Sequence, residues 1–133
     1  MTLKGHTDSI SCVGIIPDGR RVVSGSWDST LQVWDLKRGE CLMTLRGHTD
    51  SINCVGILPD GRRAVSGGGD STLRVWDLKS GECVAGHQAR DMVLSISEIS
   101  THGHFACSTN QDEVLLIITD SRFHKPWWKI WKS

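Results

Sequence analysis

Apolar residues recur at alternate positions in short runs along this chain, and each run stops at a turn signal. Ile10, Val13 and Ile15 form the first run, which ends at Pro17-Asp18-Gly19. Proline fixes φ and glycine admits positive φ, so this tripeptide predicts a tight turn between strands. Arg21 to Ser24 predicts a second strand ending at Gly25, and Asp28-Ser29 a second turn. Leu31, Val33 and Asp35 alternate with Thr30, Gln32 and Trp34 in a third strand. Lys37-Arg38-Gly39-Glu40 turns again, and Cys41 to Leu45 predicts a fourth. No window of helical length carries a 3.6-residue period. The pattern predicts an all-β protein built from short, half-buried strands.

The pattern then repeats. Residues 5–46 align with 47–88 at an offset of 42 without a gap, and 30 of those 42 positions are identical. Gly5-His6 returns as Gly47-His48, Pro17-Asp18-Gly19 as Pro59-Asp60-Gly61, and Val33-Trp34-Asp35-Leu36 as Val75-Trp76-Asp77-Leu78. A third, eroded copy follows, with Gly103, Ser108 and Asp112 as landmarks and Ile118-Thr119 in place of Trp-Asp. Gly86-His87 lies three residues early for that copy, where Arg90 takes the His position. The organisation is an outer strand plus first repeat over 1–46, a second repeat over 47–88, a degenerate third over 89–122, and a Trp/Lys-rich tail over 123–133.

Four strands per unit, a unit of this length, and paired Gly-His and Trp-Asp signatures resemble the WD-repeat β-propeller family. The resemblance covers residues 1–120. It implies three four-stranded antiparallel propeller blades per chain. It also implies a hydrogen-bonded network in each full repeat: His6, Ser24, Asp28 and Trp34, then His48, Ser66, Asp70 and Trp76. These residue types could also be read as a hydrolase triad. No nucleophile-elbow motif surrounds the serines, and a set that recurs at the repeat offset suits a core network better than one active site.

Composition narrows the function classes. Lys plus Arg and Asp plus Glu balance at 15 each, so nothing drives the chain toward nucleic acid or an anionic membrane. No apolar run approaches a membrane span. Five cysteines, four of them repeat-related as Cys12/Cys54 and Cys41/Cys83, point to reduced thiols and a cytoplasmic setting. His102, His104 and Cys107 have ligand-like spacing, but Cys107 falls on the opposite strand parity and no fourth ligand is evident, so no metal and no cofactor is expected.

The resemblance also carries an expectation about closure. Thr2-Leu3-Lys4 before Gly5-His6 matches Thr44-Leu45-Arg46 before Gly47-His48, an outer strand of a preceding blade. Three blades are too few for a ring, for which roughly 4–8 is usual. The expectation is therefore self-assembly: Thr2, Leu3 and Lys4 of one chain complete the third blade of another beside Val114 and Leu116. A homodimer would give about six blades and a trimer about nine. The alternatives are that the chain is a piece of a longer gene product, or that the tail, with Trp127, Trp128 and Trp131 among lysines, supplies that strand, covers a blade face or edge, or meets a membrane interface.

The expected function is a non-catalytic scaffold for a protein or peptide partner, with contacts at Asp8, Ser9, Trp27, Asp50, Ser51, Gly69 and Gln111. Trp27 stands where the second copy has Gly69. Arg20-Arg21 and Arg62-Arg63 are expected on a solvated rim. A propeller piece with no dedicated ligand, natural or designed, is the alternative.

Overall fold

The computed structural model describes the backbone of residues 1–102, 104–110, 114–119 and 128–132, and the side chains of residues 1–102 and 104–110. It contains three four-stranded antiparallel sheets. Blade 1 comprises β1 (Ile10–Ile15), β2 (Arg21–Ser26), β3 (Thr30–Asp35) and β4 (Glu40–Arg46). Blade 2 repeats the order with β5 (Ile52–Ile57), β6 (Arg63–Gly68), β7 (Thr72–Asp77) and β8 (Cys83–Gln88). Blade 3 holds β9 (Val93–Ile96), β10 (His104–Thr109), β11 (Val114–Thr119) and β12 (Trp128–Lys132). Each sheet runs in meander order from its inner strand outward.

The turn chemistry acts as its residues require. Gly19 and Gly61 take φ of 70° and 67° in the Pro-Asp-Gly turns. Asp18 caps one of them, accepting from the Arg20 N–H at 2.8 Å and from the Arg21 guanidinium at 2.8 Å. Asp60 does the same for Arg62 and Arg63. One arginine of each rim pair is thus held to its own turn.

Blade faces form the core. β1 and β2 pack on β5, and β5 and β6 pack on β9. One apolar cluster, with Val23, Leu31, Val33, Ile52 and Trp76, fills the first junction; another, with Cys54, Val65, Val93, Phe105 and Cys107, fills the second. β3 lies between neighbouring strands in its sheet and is buried on both faces, its polar Gln32 included. The inner strand β1 departs from its expected half-burial. Ile10, Val13 and Ile15 are 53%, 64% and 67% exposed, because among the described residues no blade lies against that side.

The tail corrects the expectation about closure. Leu115–Thr119 pair antiparallel with Trp128–Lys132, and Leu116 faces Trp131 in the register. The chain's own tail takes the outer-strand place expected for Thr2-Leu3-Lys4 of a second chain, and the edge near Val114 and Leu116 is not vacant. Residues 2–4 form no strand. Met1 and Leu3 instead lie over the turn glycine Gly39, within 2.9 Å and 3.9 Å of its Cβ position. Met43 and Leu45 lie over Gly81 in the same way, so the N-terminal segment keeps the place of an outer strand without the strand's pairing.

Candidate functional site

The sharpest polar geometry is the pair of relays inside blades 1 and 2. In blade 1 the Trp34 indole N–H donates to Ser24 Oγ at 2.8 Å. Ser24 Oγ lies 2.7 Å from His6 Nε2, and His6 Nδ1 lies 2.8 Å from Asp28 Oδ2. Blade 2 reproduces this through Trp76, Ser66, His48 and Asp70 at 2.8, 2.6 and 2.8 Å. An ionised carboxylate only accepts, so the proton of the neutral imidazole sits on Nδ1 and is donated to the aspartate. Nε2 then accepts from the serine hydroxyl, whose oxygen accepts from the indole N–H. All eight residues expected in the two networks are brought together.

Each carboxylate is the anchor of its relay. Asp28 also accepts from the Thr7 N–H at 3.1 Å and the Thr30 hydroxyl at 2.6 Å, and Asp70 from the equivalent Thr49 and Thr72. Burial pushes the Asp28 carboxyl up, but the bonds from Thr30, His6 and Thr7 outweigh it and hold it well below the usual carboxylate range. Asp70 is lowered in the same way against burial. At His48 burial drives the pKa down, against the pull of Asp70. A depressed imidazole beside a depressed carboxylate is a neutral ring held by an anion.

This wiring matches a hydrolytic triad from carboxylate to hydroxyl, and burial decides what it can do. A nucleophilic serine needs a free lone pair facing a substrate. Ser24 and Ser66 are 3% and 0% exposed, and the indole N–H of the neighbouring strand binds each oxygen. The arrangement satisfies buried polar groups and ties two strands and the turn between them to the Gly-His segment.

The third blade has abandoned the relay, and its register differs from the expected one. Cys107 pairs with Ile96 as Ser66 pairs with Val55, and Asn110 N–H donates to Met92 O as Gly69 N–H donates to Ser51 O. The equivalence therefore runs at an offset of 41, not 42. Cys107, not Ser108, takes the serine position, and Ile117 rather than Ile118 the Trp position. Ala89 and Cys107 are buried in the second apolar cluster. Ser108 instead bonds Ser95 at 2.6 Å on the outer side of the sheet. Gly103, Gln111 and Asp112 lie outside the described residues, and Asn110 holds the position equivalent to Trp27 and Gly69.

The candidate contact residues gather where Gly-His segments meet the β2–β3 and β6–β7 turns. Trp27 is 56% exposed, while its N–H is fixed to Ser9 O at 2.9 Å. Ser26 Oγ donates to Ser9 O at 2.9 Å, which holds the same corner. In blade 2 a Cβ at Gly69 would stand 3.1 Å from Asp50 and 3.3 Å from Ser51. Gly69 therefore leaves these two side chains closely packed where Trp27 stands clear. On the turns at the opposite ends of the strands, Arg21, Arg62, Asp77 and Lys79 line a cleft of about 500 Å³ between blades 1 and 2, which sequence reasoning did not single out. His102 and His104 are exposed with rings 6.0 Å apart. Among the described residues no three His, Cys, Asp or Glu converge as a metal site.

A family model described as WD domain, G-beta repeat matches residues 1–35 and 39–77. The chain belongs to the WD-repeat family. The third blade lies outside the matched residues, in keeping with the loss of its relay. Among curated proteins, Protein groucho of Drosophila melanogaster is 49% identical over 39 residues, 29% of this chain and 5% of that protein. The Notchless protein homolog of Arabidopsis thaliana is 46% identical over 35 residues, 26% of this chain and 7% of that protein. The Ribosome biogenesis protein BOP1 homolog of Drosophila erecta is 40% identical over 42 residues, 32% of this chain and 5% of that protein. These WD repeats thus align with about one repeat of much longer relatives. The solved structure of U3-55K superposes over 98% of this chain and 41% of its own, with a TM-score of 0.86 at 19% identity, which shows the propeller fold.

Proposed function

We propose that this chain is a non-catalytic protein-interaction scaffold whose contact surface is the loop corner of Trp27, Asp8 and Ser9. The observation that carries the reading is an exposed indole on a backbone fixed by hydrogen bonds to Ser9. Such an anchor loses little conformational freedom on binding, and Trp is enriched among residues that dominate interface energies. The Asp8 carboxylate beside it favours a partner segment that brings an apolar group together with a cation. Asp50, Ser51 and Gly69 extend the surface onto blade 2 as a lower, polar shelf. Buried serines, each with an indole N–H on its oxygen, support the absence of catalysis. Cys54, a thiol buried within the core, supports a reducing, cytoplasmic setting, and burial pushes it up to about 12.

Peptide arrays probed with the wild-type chain and with Trp27→Ala test the contact surface. The expected result is at least a tenfold loss of signal on the bound peptides, about 1.4 kcal/mol. An unchanged set of bound peptides would place the contact elsewhere. A serine-reactive phosphonate tests the second half of the reading. Ser24 and Ser66 are expected to stay unlabelled in the folded chain, and stoichiometric labelling of either would make the relay an active site.

A further inference from the structure

Blade 2 rests on blade 1 at two turns, and a recess opens between them. The β5–β6 turn sets Gly61 against blade 1, its Cβ position 3.5 Å from Pro17 Cδ. The β7–β8 turn sets Gly81 over Met43 and Leu45 of β4, its Cβ position 3.5 Å from each. The space between is the cleft of about 500 Å³ lined by Arg21, Gly61, Arg62, Asp77, Leu78 and Lys79. Its size suits a ligand site, for which about 300–1,000 Å³ is typical.

The backbone around the cleft is fixed. The Leu78 N–H donates to Arg62 O at 2.8 Å and joins the two turns. Asp60 accepts from the Arg62 N–H at 2.8 Å, and Asp77 Oδ1 from the Lys79 and Ser80 N–H groups at 2.7 and 3.0 Å. Leu78 is buried, whereas Arg62 and Lys79 stand exposed on these anchored turns.

Charge gives the recess its chemistry. Arg21, held by Asp18 at 2.8 Å, forms the blade 1 wall. Arg62 bonds through its backbone, and among the described residues its guanidinium has no hydrogen-bond or ion-pair partner. The N–H groups of Ser80 and Lys79 hold the Asp77 carboxyl below its usual range, and the Lys79 charge adds to this. Both N–H groups fall on Oδ1, which leaves Oδ2 open as an acceptor among the described residues. A bare anion would meet the carboxylate together with the cations. A peptide separates its carboxylate from its N–H donors, so it can use both.

The second junction has different residues. The strand register puts Ile118 of blade 3 where Asp77 stands, and Thr119 and Asp120 follow in sequence where blade 2 has Leu78 and Lys79. Stacking one blade on another therefore does not require this set of side chains.

We propose that the cleft binds an acidic peptide segment, its carboxylate held by Arg62 and Lys79 and a backbone N–H received by Asp77. The site lies at the opposite ends of the strands from Trp27. The Trp27 corner, with Asp8, favours a cationic segment, so the two surfaces select opposite charge.

Fluorescence polarisation of a labelled peptide of alternating glutamate and glycine tests the site, with glutamine in place of glutamate for comparison. The wild-type chain is expected to bind the glutamate peptide about tenfold tighter or more. Arg62→Glu with Lys79→Glu is expected to remove that preference. The same charge change at their blade 1 counterparts, Arg20→Glu with Lys37→Glu, is expected to leave binding within about twofold, as is Trp27→Ala. Circular dichroism establishes that each variant is folded, and Arg62→Gln with Lys79→Gln serves where charge reversal unfolds the chain. Three outcomes would overturn the proposal. One is no preference for the glutamate peptide. Another is an equal loss from the counterpart pair or from Trp27→Ala, which would place binding elsewhere. The third is displacement of the peptide by sodium phosphate at matched ionic strength, which would make the cleft a site for free anions.

Discussion

Ser66 and Cys107 occupy the same place in successive blades, and the two side chains live in opposite chemistry. Ser66 receives an indole proton and gives one to His48, whereas Cys107 sits among Val93, Phe105 and Ala89. Ser66→Ala would leave a buried indole N–H and an imidazole nitrogen without partners, at a cost of about 1–3 kcal/mol. Cys107→Ser would bury a hydroxyl among apolar side chains, in a blade that carries Ile117 at the relay's Trp position, at a similar cost of about 1–3 kcal/mol. Urea unfolding of both variants reads this directly, and the hydroxyl is expected to stabilise one blade and destabilise the next. Protonation gives a second expectation. The His48 pKa is lowered on folding, so its contribution is fully present above about 6.5 and is lost as pH falls below that value. Asp28 and Asp70 are also lowered, and their contribution is lost in a second window as pH falls below about 4. Unfolding followed from pH 8 to pH 3 should show both declines, and His48→Gln should flatten the first. The relay residues of blades 1 and 2 were legible in the sequence because the motif repeats in register. Those of blade 3 were not. A one-residue slip before β9 is invisible where identity has eroded, and only the backbone pairing of Cys107 with Ile96 reveals it.

At the scale of the strand, the glycines divide into those that touch another blade and those that do not. Gly67 is met by Val93, so Gly67→Ala should push blade 3 off blade 2 and cost about 1–3 kcal/mol. Gly86 on the outer strand β8 has, among the described residues, only the Leu73 carbonyl oxygen near its Cβ position, at 3.7 Å, and Gly86→Ala should be close to neutral. Denaturation midpoints of the pair check the distinction. The order of the first eight strands followed from alternation and turn residues, whereas β2 runs on through Gly25 to Ser26 and β4 already begins at Glu40. β12 did not, because no Gly-His follows Trp128–Lys132 to mark it as an outer strand, and alternating Trp and Lys suits several environments. Burial was misjudged at β1 for a different reason. Alternation says which side of a strand seeks cover, but not whether a neighbouring blade is there to give it.

For the whole molecule, the three blades make an arc whose junctions all run in one direction, each blade inserting into the one before. An arc of that kind is held by the same interface twice, so weakening either junction exposes apolar surface of the type blade 1 already presents. A glycine socket is a lock cut by omission: Gly25 and Gly67 each leave room for one branched carbon of the next blade, so what the receiving strand lacks decides which side chain fits.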